Sequence, residues 1–158
     1  YNFALLKADA LERQERHGSK VYQNFLPKIF TKLHYQLLKK YSDKIKVWVV
    51  DGELVRDHFF LDFTEGGHYY RYRFIPHNEI WLDDDLSLRE RKFVLLHELH
   101  ERNRMAERLQ KERKSLKHLR PYTVYCWAHQ KASELEHYCR MNPRQLEQKL
   151  REELQKSN

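Results

Sequence analysis

The sequence predicts an α+β fold in which a small antiparallel sheet is packed by helices. Three observations carry that reading. Apolar residues recur every three to four positions near both ends, β-branched and aromatic residues concentrate between positions 45 and 83, and Asp-Gly and Gly-Gly pairs punctuate that middle stretch. Residues 3–16 place apolar side chains at 3, 6, 10 and 11 with Gly18 as a C-cap, which predicts a first helix. Residues 21–41 predict a second, started by Pro27 and faced by Phe30, Leu33, Leu37, Leu38 and Tyr41. Lys46-Val47-Trp48-Val49-Val50 predicts a strand, and Asp51-Gly52 a tight hairpin into a partner strand over 53–56. Residues 59–63 and 69–75 predict two more strands around the turn Thr64-Glu65-Gly66-Gly67-His68. In the second of these, tyrosines alternate with Arg71 and Arg73 to give an aromatic and a basic face. Glu79-Ile80-Trp81-Leu82-Asp83 is a further strand. Asp83-Asp84-Asp85 lacks the spacing and glycine of a calcium loop, so Asp85 or Ser87, with Glu90 completing a capping box, is expected to start the next helix. The expectation is one domain over 1–158: N-terminal helices (1–42), antiparallel strands (45–83), two site-bearing helices (87–141) and a C-terminal helix (143–156).

Composition narrows the function classes. Aromatic residues make up 13% of the chain, which supports a packed body despite 34% charged residues. No apolar run approaches the length of a membrane span, and no signal-peptide pattern opens the chain, so no membrane partner is expected. Cys126 and Cys139 fall 13 residues apart in one expected helix, too far to pair, which predicts free thiols and a cytoplasmic setting. Position 1 is Tyr, which leaves room for residues upstream. The net charge of +7 favours an acidic partner, and Arg108, Lys111, Arg113, Lys114 and Lys117 form the densest basic stretch. That stretch reads either as a phosphate-facing surface or as a solvated helix extension, since no recognised nucleic-acid-binding signature accompanies it.

The chemistry concentrates in Phe93-Val94-Leu95-Leu96-His97-Glu98-Leu99-His100-Glu101, where an apolar run leads into histidines and carboxylates. On a helix, Glu101 stands about 40° from His97 and Glu98 about 100°, whereas His100 falls about 60° the other way, roughly 160° from Glu98. A general base must serve water on the same ion as the ligands, so His97 and Glu101 are the expected metal ligands and Glu98 the base, an HExxE variant of the zinc-hydrolase motif. His100 is the alternative ligand. A third ligand is expected from the helical segment 125–138, where His129 is the first candidate and Glu136 and Glu134 are reserves. Ala128, Ala132 and Leu135 would form a packed face that lets the two helices approach closely. Glu65 and His68 are candidates for the substrate side or for supporting the ligands.

The stretch Glu79-Ile80-Trp81-Leu82-Asp83, followed by Leu86-Ser87-Leu88-Arg89-Glu90-Arg91-Lys92-Phe93-Val94-Leu95-Leu96-His97-Glu98-Leu99, resembles the strand, turn and active-site helix of the ImmA/IrrE-like metallopeptidases, which are small zincins. The resemblance spans residues 75–136. It implies a zincin-like minimal core, a zinc cofactor held by His97, Glu101 and His129, Glu98 as base, and a peptide or protein substrate. The family's Gly-His pair is replaced here by His100-Glu101, and its third-ligand Glu by His129. A carboxylate at Glu101 makes a bound ion less electrophilic, which favours manganese or iron as alternatives to zinc. Strand 79–82 would then be the edge that holds an extended substrate. Three other readings stand beside this one: a non-catalytic zincin-like interaction module, of a phage or mobile element; a basic nucleic-acid-binding protein; and a carboxylate-bridged two-metal site using Glu134-Leu135-Glu136-His137.

Overall fold

The structure, a computed structural model, describes Leu11, Glu15 and residues 19–113 and 121–157. The chain divides into two compact units, Tyr1–Leu33 and His34–Asn158. In the first, helix α1 (Lys20–Leu33) runs through Pro27 rather than starting at it, and it ends eight residues short of the expected Tyr41. The helix expected over 3–16 lies, apart from helical Leu11 and Glu15, outside the described residues.

The second unit is α+β. Its elements are β1 (His34–Leu37), a 3-10 turn (Lys39–Tyr41), β2 (Lys46–Val50), α2 (Gly52–His58), β3 (Gly66–His68), β4 (Glu79–Asp83), α3 (Leu88–Arg113), α4 (Pro121–Met141), a 3-10 turn (Pro143–Gln145) and α5 (Leu146–Lys156). The sheet order is β1-β2-β4-β3. β1 and β3 pair antiparallel with their neighbours, but β2 and β4 are parallel, with Val47 opposite Ile80 and Val49 opposite Leu82, so the sheet is mixed rather than antiparallel.

Two corrections explain the difference. Asp51-Gly52 is not a hairpin turn: the Asp51 carboxylate accepts the Leu54 N–H at 2.9 Å and caps α2, so the chain crosses over instead of doubling back. Gly52 is required there for space, because a Cβ would collide with the Asp83 carboxylate. That carboxylate is buried and paired with Arg56 at 2.6 Å. Secondly, the aromatic stretches 59–63 and 69–75 are turns, not strands. Their rings form a layer on one side of the sheet: Phe59 meets Phe74 and Trp81, Phe60 and Phe63 meet Tyr72, and Tyr72 stacks on Phe74. Aromatic enrichment marks burial as much as strand geometry, and burial won here.

On the other face of the sheet, Val47, Ile80 and Leu82 join Phe93, Leu95, Leu96 and Leu99 of α3 and Leu146 and Leu150 of α5 in one core. Helix α3 is therefore central, buried almost all round between Phe93 and Met105, with the sheet, α4 and α5 against it. The Ser87 hydroxyl accepts the Glu90 N–H at 3.2 Å and fixes its start. Ala128 and Ala132 of α4 are fully buried and Leu135 is half-buried, so α4 seats closely on α3.

Candidate metal centre

The α3 residues His97 and Glu101 and the α4 residue His129 converge on one point. His97 Nε2 lies 3.0 Å from His129 Nδ1, His129 Nδ1 2.8 Å from Glu101 Oε2, and His97 Nε2 3.5 Å from the same oxygen. Zinc bonds of about 2.0–2.1 Å at tetrahedral angles set donors about 3.3 Å apart, so this triangle has the size of one face of a coordination shell. The largely buried His97 and Glu101, with the exposed His129, could thus hold a metal ion.

Hydrogen bonds behind the triangle set which atoms face it. His97 Nδ1–H donates to Glu136 Oε2 at 2.8 Å, which turns Nε2 towards the triangle. Glu136 in turn accepts from Arg140 Nε at 2.8 Å, and Arg140 also reaches Glu90 at 2.6 Å. On the far side, the Tyr70 backbone N–H donates to His68 Nδ1 at 3.2 Å, which places the proton of that imidazole on Nε2. His68 Nε2–H then donates to Glu101 Oε1 at 3.0 Å, so the carboxylate keeps Oε2 for the triangle. Glu136 and His68 hold the ligands rather than complete the triangle.

The electrostatics follow from four carboxylates, Glu65, Glu98, Glu101 and Glu136, and three imidazoles, His68, His97 and His129, at one cleft. Burial pushes the His68 imidazole down towards neutrality. Burial disfavours the His97 cation as well, but hydrogen bonds to Glu101 and Glu136 outweigh it and push His97 up to about 10. Glu101 is held below the usual carboxylate range: burial opposes its charge, and bonds from His129, His68 and His97 overcome that. Glu98, with burial and the Glu101 charge against it, is pushed up to about 8. Its Oε2 stands 4.0 Å from His68 Nε2, and its side chain borders the cleft beside the triangle.

The cleft encloses about 290 Å³ and is bordered by Glu98, the triangle, Glu65, Arg71, Tyr72 and Tyr125. Glu65 adopts φ 60°, a left-handed backbone that costs a non-glycine residue roughly 1 kcal/mol. It is held there at the rim by the Asp83 N–H, which donates to its carbonyl at 2.8 Å. Gly66 lets β3 pass closely over α3, and Gly67 makes room for the Tyr72 ring. A Cβ on Gly66 would stand 3.2 Å from Glu98 Cγ, and one on Gly67 would stand 2.5 Å from the Tyr72 ring.

Other expected positions lie elsewhere. His100 turns away from the cleft, donating from Nδ1 to Glu153 of α5 at 2.9 Å and accepting from Arg104 at Nε2. Glu134 is exposed and bonded to Lys131. Strand β4 lies between β2 and β3, so it offers no free edge; the edge strand beside the site is β3. Arg108 covers the Trp127 ring at 4.8 Å and Lys111 is exposed. Arg113 ends α3, and Lys114 and Lys117 lie outside the described residues. Arg71 and Arg140 were not among the expected site residues; the alternation of Arg71 with tyrosines, read as the basic face of a strand, was the one signal. No helix among the described residues is long and apolar enough to cross a membrane. No protein-family model, curated protein or solved structure matches the chain.

Proposed function

We propose that the protein is a metal-dependent hydrolase of zincin type that cleaves amide bonds in peptides or proteins, with zinc held by His97, Glu101 and His129. One observation carries the reading. The three inward donor atoms are set from behind by Glu136 and His68, while Glu98, one residue after the first ligand, stands free of the triangle at the cleft. When bound, zinc supplies a Lewis acid that activates water and polarises a carbonyl. Glu98 takes the proton from the attacking water and returns it to the leaving amine. Glu101 and its His68 partner keep negative charge at the site, and the β3 edge offers backbone groups to an extended substrate. The resemblance to ImmA/IrrE-like metallopeptidases supports the same assignment.

Elemental analysis of protein purified without chelator or affinity-tag metal tests it. The expected result is about one equivalent of metal, lost in His97→Ala, Glu101→Ala and His129→Ala and retained in His100→Ala. Glu98→Gln should keep the metal and lose hydrolysis of an unfolded protein such as casein. No uptake of zinc, manganese or ferrous iron, or equal loss in His100→Ala, would overturn the reading and leave a non-catalytic module or a nucleic-acid binder.

A further inference from the structure

The geometry points to Arg71 as the anion-binding element of a substrate subsite beside the proposed metal, one that takes a carboxylate of the peptide near the scissile bond. This rests on the hydrolase reading for the identity of the ligand, though not for the presence of the subsite. Three observations support it.

Arg71 is fixed in position by the backbone: the His68 carbonyl accepts the N–H of both Arg71 at 3.0 Å and Tyr72 at 2.9 Å, tying the turn to the strand whose His68 holds Glu101. Its guanidinium is clamped by rings, with its carbon 4.7 Å from the Tyr72 centroid and 4.8 Å from that of Tyr125. Tyr125 stacks on the His129 imidazole at 5.4 Å and 29°, so one aromatic layer separates the guanidinium from a ligand ring. Finally, Arg71 is exposed, borders the cleft and forms no ion pair among the described residues, whereas Arg56 and Arg140 are both paired with carboxylates.

A guanidinium whose carbon lies 4.7 and 4.8 Å from two ring centroids is held at the cleft; one N–H goes to the Tyr125 side chain, and the other donors of its fork are left for a carboxylate. In a cleft whose other charged side chains are Glu65, Glu98, Glu101, Glu136 and the histidines, Arg71 is the element that favours an anionic substrate group over a neutral one. Two sources share this chemistry: the C-terminal carboxylate of a short peptide, and an Asp or Glu side chain within a longer one.

The test uses the zinc-loaded full chain and three fluorophore-labelled pentapeptides: one with a free C-terminal carboxylate, one amidated and neutral, and one amidated with a Glu side chain. Binding is read by anisotropy and cleavage by chromatography. Wild type is expected to bind at least one carboxylate peptide about tenfold more tightly than the neutral one. Arg71→Ala should abolish that preference while leaving the metal content and neutral-peptide affinity unchanged, and Arg71→Lys should restore part of it. The first and third peptides separate the two sources. Equal or absent binding of all three, or a uniform loss in Arg71→Ala, would overturn the subsite. Carboxylate preference dependent on Arg71 without cleavage of any peptide would sustain the subsite and refute the hydrolase.

Discussion

The most informative atoms of the site are those behind it. His97 Nδ1 and Glu101 Oε1 each carry a hydrogen bond that turns the opposite atom inward, and each partner is itself held: Glu136 by Arg140, and His68 by the Tyr70 backbone. Removing such a partner leaves the candidate ligand in place and loosens its aim. Glu136→Gln and His68→Ala are therefore each expected to weaken zinc affinity by about 10- to 100-fold without changing the stoichiometry at saturation, measured by competition with a chelating dye. Unchanged affinity in both would show that the ligands need no such support. His100 marks the contrast: its bond to Glu153 commits the imidazole to the α5 side of α3, as its helical angle relative to His97 requires.

At the scale of elements, the site depends on how closely α4 and β3 approach α3. Ala128 and Ala132 are buried without exposure, and their size sets how near His129 comes to His97. Ala132→Leu is expected to destabilise the fold by about 1–3 kcal/mol, as overpacking does, and to lower metal affinity more than an exposed α4 substitution such as Gln130→Leu. Denaturant unfolding beside a zinc titration measures both, and equal affinity in the two variants would count against close packing as the device. The α3 register and its partner in α4 were legible in sequence because 100° per residue and small-residue spacing are local rules. The sheet was less so: Asp51-Gly52 satisfies a hairpin turn and a helix cap equally well, and only the tertiary pairing of β2 with β4 decides between them. Strand β3 escaped notice because Gly66 and Gly67, read as turn residues, serve close approach to Glu98 and Tyr72. Arg71 was hidden for a related reason, since its clamp joins Tyr72 to Tyr125, which only the packed fold brings together.

Across the His34–Asn158 unit, two carboxylates, half-exposed Glu147 and buried Glu153, fasten α5 to the body that carries the site. Glu147 takes Lys40 at 2.7 Å and Lys92 at 2.8 Å, joining the turn after β1 to α3. Glu153 is buried against His100, Asn103 and Lys156. Burial works against the Glu153 charge, but the bonds from His100, Lys156 and Asn103 prevail and hold it down to about 2, below the ordinary 4.5. A carboxylate depressed in the folded state stabilises the protein fully above its unfolded value and loses that contribution as pH falls through the folded one. The window is thus about pH 4.5 to 2, and the shift corresponds to at most about 3 kcal/mol. Urea unfolding of wild type and Glu153→Gln at a series of pH values measures it. The wild type is expected to be more stable above pH 5, with the difference shrinking steadily towards pH 2 as the carboxylate takes up its proton. A gap that stays constant across that range would mean that Glu153 acts through its shape and neutral hydrogen bonds, and that charge plays no part in holding α5 against α3.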